Sequence, residues 1–244
     1  MTQETDMRWN DFWSRFGREA YDEINVLEEY AKMTDKAAEW AGKDRRVLDA
    51  GCGTGNLARK LGRNNKVTAI DYSPGMLEKA AEKTAGNENV ELLQASVLSL
   101  PFADESYDVV VSVNVLFNLS DPARAIREAY RVLGKNGVLI VSSLLGHQGP
   151  TEDVIQQAAA YCKRTGVALD GLARVLRYQN ILRSGNGFNY VPEEKEVIEL
   201  IESCGFSILE RQRVYFGNNC MIKAAKRPMN RMTQNHTECQ WAAA

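Results

Sequence analysis

A chain of 244 residues with a formal net charge of -2 has room for one large α/β domain with a substantial core, and too little chain for a second independent domain. The interspersed charges supply no global basic field, which disfavours nucleic acid as the main partner. Five cysteines without a C-x-x-C pair form neither a zinc spacing nor a disulfide framework; the sequence does not open on a basic segment followed by an apolar core, and no apolar run approaches the ~20 residues that span a bilayer, so a reduced cytoplasm and at most peripheral membrane contact are expected.

In chain order, residues 1–45 read as N-terminal helices, with Trp9, Phe12, Trp13, Phe16 and Tyr21 close together and able to dock on the core or to line a lid. From Arg46 strands and helices alternate, as in a parallel sheet covered on both faces. The strands expected are Val47–Ala50, Val67–Ile70, Val90–Gln94, Val109–Val113 and Val138–Ser142. Ser73-Pro74 and Asp121-Pro122 each pair a capping side chain with a proline at the first helical position, and the second helix is expected to end near Leu133-Gly134. Residues 144–191 form an insertion with two expected helices, longer than a plain connection, and read as a substrate cap. A helix over Pro192–Cys204 and a hairpin of Ser207–Tyr215 with Asn219–Ala225 complete a single domain over 1–227, and the polar segment 228–244 reads as a mobile tail.

The most informative stretch runs from Val47 to Asn56, a buried strand entering a turn with Gly51, Gly53 and Gly55 and then a helix near Leu57–Leu61. Glycines let the backbone approach a ligand, and the helix start is expected to face an anion. A dinucleotide site is the rival reading, but the spacing is G-x-G-x-G rather than G-x-G-x-x-G. Asp49 at the strand's end would also repel a pyrophosphate and attract an ammonium or sulfonium, which favours a zwitterionic amino-acid cofactor. Asp71 ends the second strand, where a carboxylate suits ribose hydroxyls.

Asp49 to Gly55, Asp71 with Tyr72-Ser73-Pro74-Gly75-Met76-Leu77, Leu100-Pro101-Phe102, Asp104 to Val110, Asp121-Pro122 and Arg131 to Gly137 together resemble the class I S-adenosylmethionine-dependent methyltransferases. The likeness is to the small-molecule subgroup that includes ubiquinone and menaquinone biosynthesis. It implies a Rossmann-like, doubly wound, mostly parallel seven-stranded sheet with a C-terminal antiparallel hairpin. It also implies S-adenosylmethionine as cofactor: Gly51 and Gly53 beside its methionyl part, Asp49 at its ammonium directly or through water, Asp71 at both ribose hydroxyls, Met76 on the adenine, the Asn114 backbone beside the sulfonium, and Tyr72 as a further cofactor contact. Ser96 departs from the pattern, because relatives carry an aspartate there to accept from the adenine amino group; Ser96 and the Val97 N–H are adenine candidates, with an ordinary loop hydroxyl as the alternative.

No general base stands out. Relatives often place histidine soon after the fourth strand, whereas Val115-Leu116-Phe117-Asn118 has none, and the chain holds only His147 and His236. His147, at the cap's entrance, is the base candidate, with a solvated loop histidine as the commoner outcome. Cys162 reads as a small buried hydrophobe or a pocket residue. Arg174, Arg177 and Arg183 give the cap polar tips or an anion contact. The acceptor candidates are Trp13, Tyr21, Phe117, His147, Tyr178 and Tyr190, and no metal is expected. Methyl transfer to a small molecule, mainly through proximity and orientation, is the leading expectation. A noncatalytic binding subunit and a methyltransferase acting on RNA or protein are alternatives, and the sequence leaves the acceptor and the oligomeric state open.

Overall fold

In a computed structural model of the chain, the structure describes residues 28–145, 192–214 and 219–228, together with Asp22, Gly217 and six positions between 156 and 166. The acceptor candidates Trp13, Tyr21, His147, Tyr178 and Tyr190, most of the proposed cap, and residues 229–244 lie outside the described residues.

Helix α1 (Glu28–Ala41) leads into β1 (Arg46–Ala50), α2 (Asn56–Leu61), β2 (Lys66–Asp71), α3 (Pro74–Thr84), β3 (Val90–Gln94) and β4 (Tyr107–Val113). A 3₁₀ turn (Leu116–Asn118), α4 (Pro122–Val132), β5 (Leu133–Leu144), α5 (Glu194–Ser203), β6 (Phe206–Val214) and β7 (Asn219–Lys226) follow. The seven strands lie in the order β3-β2-β1-β4-β5-β7-β6. The first five are parallel, and β7 runs antiparallel between β5 and β6.

Strand alternation divides the core between the two faces. Val47, Val109, Val111, Val113 and Ile140 pack under α1 and α2 with Met33, Ala37, Trp40, Leu57 and Leu61. Leu48, Val110, Leu139, Val141, Ile222 and Ala224 pack on the opposite side with Ile126, Ala129, Val197, Leu200 and Phe206 of α4, α5 and β6. Strands buried on both faces need uninterrupted apolar runs, and Val109-Val110-Val111 supplies one.

Local chemistry fixes the helix starts. Ser73 accepts from the Met76 N–H at 3.3 Å and Asp121 from the Arg124 N–H at 2.8 Å, each with proline at the first turn. The Glu193 N–H donates to Glu196 at 2.7 Å in a capping box that opens α5.

The main departure from expectation is β5, which begins at Leu133 rather than near Val138. Leu133 pairs with Tyr107, then the register jumps so that Val138 pairs with Val109. Gly137 permits this bulge: a Cβ there would lie 2.8 Å from the Gly134 oxygen and from Leu133.

Residues 95–106 join β3 to β4 without a helix. Arg131 of α4 holds this connection, donating to the Leu100 and Phe102 carbonyls at 2.9 and 2.7 Å and to Asp104 at 2.9 Å, while Glu128 accepts from the Leu100 N–H at 2.7 Å.

Candidate active site

Strand order reverses between β1 and β4, and in open α/β sheets the crevice outside the carboxyl ends of the strands at such a point receives ligands. Asp49, the Gly51–Gly55 turn, Asp71 and Asn114 all lie on that edge. A groove of about 510 Å³ lined by Arg46, Lys66, Glu91 and Tyr107 lies at the opposite, amino-terminal edge and includes none of the site candidates.

The glycine turn has little tolerance for side chains. The Gly51 and Cys52 N–H groups donate to the Ile70 carbonyl at 2.9 and 2.8 Å, which folds the turn back over β2. Gly51 has φ 85°, and a Cβ there would meet Val115 Cγ2 at 2.4 Å. Gly55 has φ 79° and lets α2 approach α3, because its Cβ would lie 2.9 Å from Ala80 Cα. Helix α2 itself has only six residues.

Asp49 lies beneath this turn, 1% exposed. Burial pushes its carboxyl up to about 7, the charge of Asp71 adds to the effect, and a hydrogen bond from the Ala58 N–H opposes it. Its Oδ2 is buried without a hydrogen-bond partner. A buried acceptor left unpaired is costly, so an ammonium or other donor fits there.

Asp71 receives the Gly53 N–H on Oδ2 and the Ser73 N–H on Oδ1, both at 2.9 Å. Burial raises its pKa, and hydrogen bonds from Ser73, Gly53 and Tyr72 pull it back. Three backbone donors on about four lone-pair sites leave the carboxylate room for a further hydroxyl donor.

The other sequence candidates have these positions. Tyr72 follows Asp71 and is 47% exposed, with its carbonyl accepting from Gln94 Nε2 at 3.1 Å. Met76 is 3% exposed in the first turn of α3. Ser96 Oγ accepts from the Leu98 N–H at 3.2 Å, the self-bonding loop arrangement, and Val97 packs against the core. Phe117 is buried in the 3₁₀ turn. Asn114 has φ 60°, and its side chain turns to neighbouring protein groups: Oδ1 accepts from Ser142 Oγ at 2.9 Å and from Asn219 Nδ2 at 2.7 Å.

Two features were missed from sequence. Thr54 Oγ1 donates to Asp22 at 2.7 Å, and Lys83 Nζ bonds Asp22, Thr54 and Asn56, so that α3 clamps the glycine turn. The threonine within the turn was the available signal. The second is the Asn114, Ser142 and Asn219 contact, hinted at only by a pair of serines ending an apolar strand.

The sheet with its reversal point, glycine turn and two acidic strand ends places the chain in the Rossmann-like class of folds that bind nucleotide-type cofactors. A family described as a methyltransferase domain matches residues 48–141. Demethylmenaquinone methyltransferase of Staphylococcus aureus (strain JH9) is 34% identical over 169 residues, 67% of this chain and 68% of that protein. Among solved structures, an S-adenosylmethionine-dependent methyltransferase from Thermotoga maritima superposes with a TM-score of 0.62 at 20% identity, covering 89% of this chain and 99% of that one. Burkholderia thailandensis 1,6-didemethyltoxoflavin-N1-methyltransferase, with bound 1,6-didemethyltoxoflavin and S-adenosylhomocysteine, gives 0.63 at 17% identity, covering 89% and 86%. The chain belongs to the class I S-adenosylmethionine-dependent methyltransferases, and its cofactor is S-adenosylmethionine. Among the described residues, no helix is long and apolar enough to cross a membrane and no cluster of ligands could hold a metal.

Proposed function

We propose that this methyltransferase acts on a small-molecule acceptor by in-line displacement, with proximity and orientation as the main source of rate. The observation that carries the cofactor half of the reading is the buried, unpartnered Oδ2 of Asp49 beneath the glycine turn. In this reading Asp49 takes the cofactor's ammonium, Gly51 and Gly53 border its methionyl part, and Asp71 accepts from the ribose hydroxyls. Tyr72, Met76, Ser96 and Val97 surround the adenine, and Asn114 borders the reacting end. When bound, S-adenosylmethionine supplies an electrophilic methyl group; the chain's residues need only hold it and the acceptor in line. Well-oriented reactants gain on the order of 7–11 kcal/mol of effective concentration.

The relative's acceptor, demethylmenaquinone, is a small molecule, and only that breadth of class is carried over. Phe117 and, outside the described residues, Trp13, Tyr21, His147, Tyr178 and Tyr190 are the proposed acceptor contacts. The stretch Val115–Asn118 after β4 holds no histidine, which favours orientation over protein base catalysis; His147 and His236 lie outside the described residues. Incubation with labelled S-adenosylmethionine and a fractionated metabolite extract tests the proposal. Label in a small-molecule fraction is expected. Label confined to RNA or protein would replace this reading with a polymer-directed one.

A further inference from the structure

The side chain of Asn114 ties the carboxyl end of β4 to the C-terminal hairpin. Asn114 turns the chain with φ 60°, a region where an L-residue is strained unless its surroundings hold it. Its N–H donates to the carbonyl and hydroxyl of Ser142 at 3.2 and 3.1 Å. Ser142 Oγ and Asn219 Nδ2 then converge on Asn114 Oδ1, while the Asn114 carbonyl accepts from Asn118 Nδ2 at 3.2 Å. Ser142 is fully buried and Asn219 is 3% exposed.

The far ends of the two flanking amides receive nothing: Asn118 Oδ1 and Asn219 Oδ1 are both buried without a partner. A leucine of similar size at 219 would avoid that penalty, so whatever the amide contributes comes from its donor end. What that donor fixes follows from the next residue. Val115 stands against the glycine turn, where a Cβ on Gly51 would come within 2.4 Å of its Cγ2. The left-handed turn at Asn114 thus sets how Val115 seats the loop that carries Gly51 and Gly53.

We propose that Asn219, acting through the side-chain oxygen of Asn114, is a positioning residue of the cofactor crevice. Ser142 supplies the second anchor. The C-terminal hairpin therefore controls cofactor affinity from 105 positions away in sequence. The proposal rests on the reading that the glycine turn and Asn114 border S-adenosylmethionine.

The test uses the full chain, calorimetric titration with S-adenosylhomocysteine, and thermal denaturation of every variant. Asn219→Asp keeps the shape and removes the donor at neutral pH; it and Asn219→Leu are each expected to weaken binding about tenfold, the worth of one positioning hydrogen bond. Ser142→Ala provides a second route to the same loss if the residue 219 variants fold poorly. Asn114→Gly keeps the backbone turn and deletes Oδ1, so it should weaken binding, and adding Asn219→Leu to it should cost less than a further twofold. A hairpin residue with a merely structural role would lower the melting temperature in both backgrounds and leave affinity unchanged. Binding within twofold of wild type for the Asn219 and Ser142 variants, or equal losses in both backgrounds, overturns the proposal alone. Unchanged binding by Asn114→Gly overturns the proposal as well, whereas unchanged binding by a folded Asp71→Ala variant would overturn the crevice reading itself.

Discussion

Replacing Asp49 with asparagine should stabilise the cofactor-free protein above neutral pH and, in the same stroke, weaken its hold on the cofactor. The wild-type carboxyl moves from an ordinary 3.8 to about 7 in the fold. The folded state therefore binds this proton more tightly than the unfolded chain does. Its contribution to stability is fully present below about pH 4 and is lost as pH rises through 7, a swing of about 4 kcal/mol at ~1.36 kcal/mol per pKa unit. Asparagine is neutral throughout and keeps an oxygen for the Ala58 N–H, but its NH₂ takes the place of the unpartnered Oδ2, a penalty of about 1–3 kcal/mol. At pH 8 the variant should thus be more stable by roughly 1–3 kcal/mol, while at pH 5 the advantage shrinks or reverses. Urea denaturation at the two pH values measures this. In parallel, wild-type affinity for S-adenosylmethionine should tighten between pH 6 and pH 8 as the carboxylate forms, relative to a variant that lacks this dependence. If wild type and variant lose stability equally between pH 5 and pH 8, Asp49 does not titrate in that window and the account of its burial is wrong.

Asp71→Ala should weaken cofactor binding by roughly 1.5–3 kcal/mol through lost charge-assisted hydrogen bonds, read by calorimetry; an unchanged dissociation constant in a folded variant would remove Asp71 from the site. Gly51→Ala should lower stability by about 1–3 kcal/mol, from left-handed strain and the contact with Val115, and pairing it with Val115→Ala should restore only part of the loss in thermal denaturation. His147→Ala should reduce turnover less than tenfold, whereas a fall of about 10²–10⁴-fold with normal cofactor affinity would make it the general base and defeat the orientation reading.

The parts of the fold that a reader can extract from the sequence are those encoded over a few neighbouring residues. Ser73-Pro74 and Asp121-Pro122 announce helix starts because cap and first turn are adjacent, and Val109-Val110-Val111 announces a strand covered on both faces. Asp49 and Asp71 were legible for the same reason: each is the last acid of an apolar strand, one running directly into glycines. The start of β5 at Leu133 was not, because that stretch reads as a turn and becomes strand only by pairing with Tyr107. Nor could Asn219 be singled out. Its significance lies in a register that sets β7 against β5, with Asn219 opposite Leu144, and no local pattern reports such a pairing. Ser96 illustrates the opposite case, where the hydroxyl's own loop supplies a competing partner that spacing alone does not weigh against a ligand.

The placement of β7 between β5 and β6 also orders events during synthesis. Residues 133–144 leave the ribosome roughly 75 positions before 219–226, which at 5–20 residues per second is an interval of about 4–15 s. Throughout it, β5 is the outermost strand of a parallel sheet, with the backbone groups of Leu139, Ile140 and Val141 open on one side. An apolar, unpaired border of this kind recruits strands from other nascent chains, so the yield of native enzyme depends on how quickly the hairpin is delivered and on what shields β5 until then.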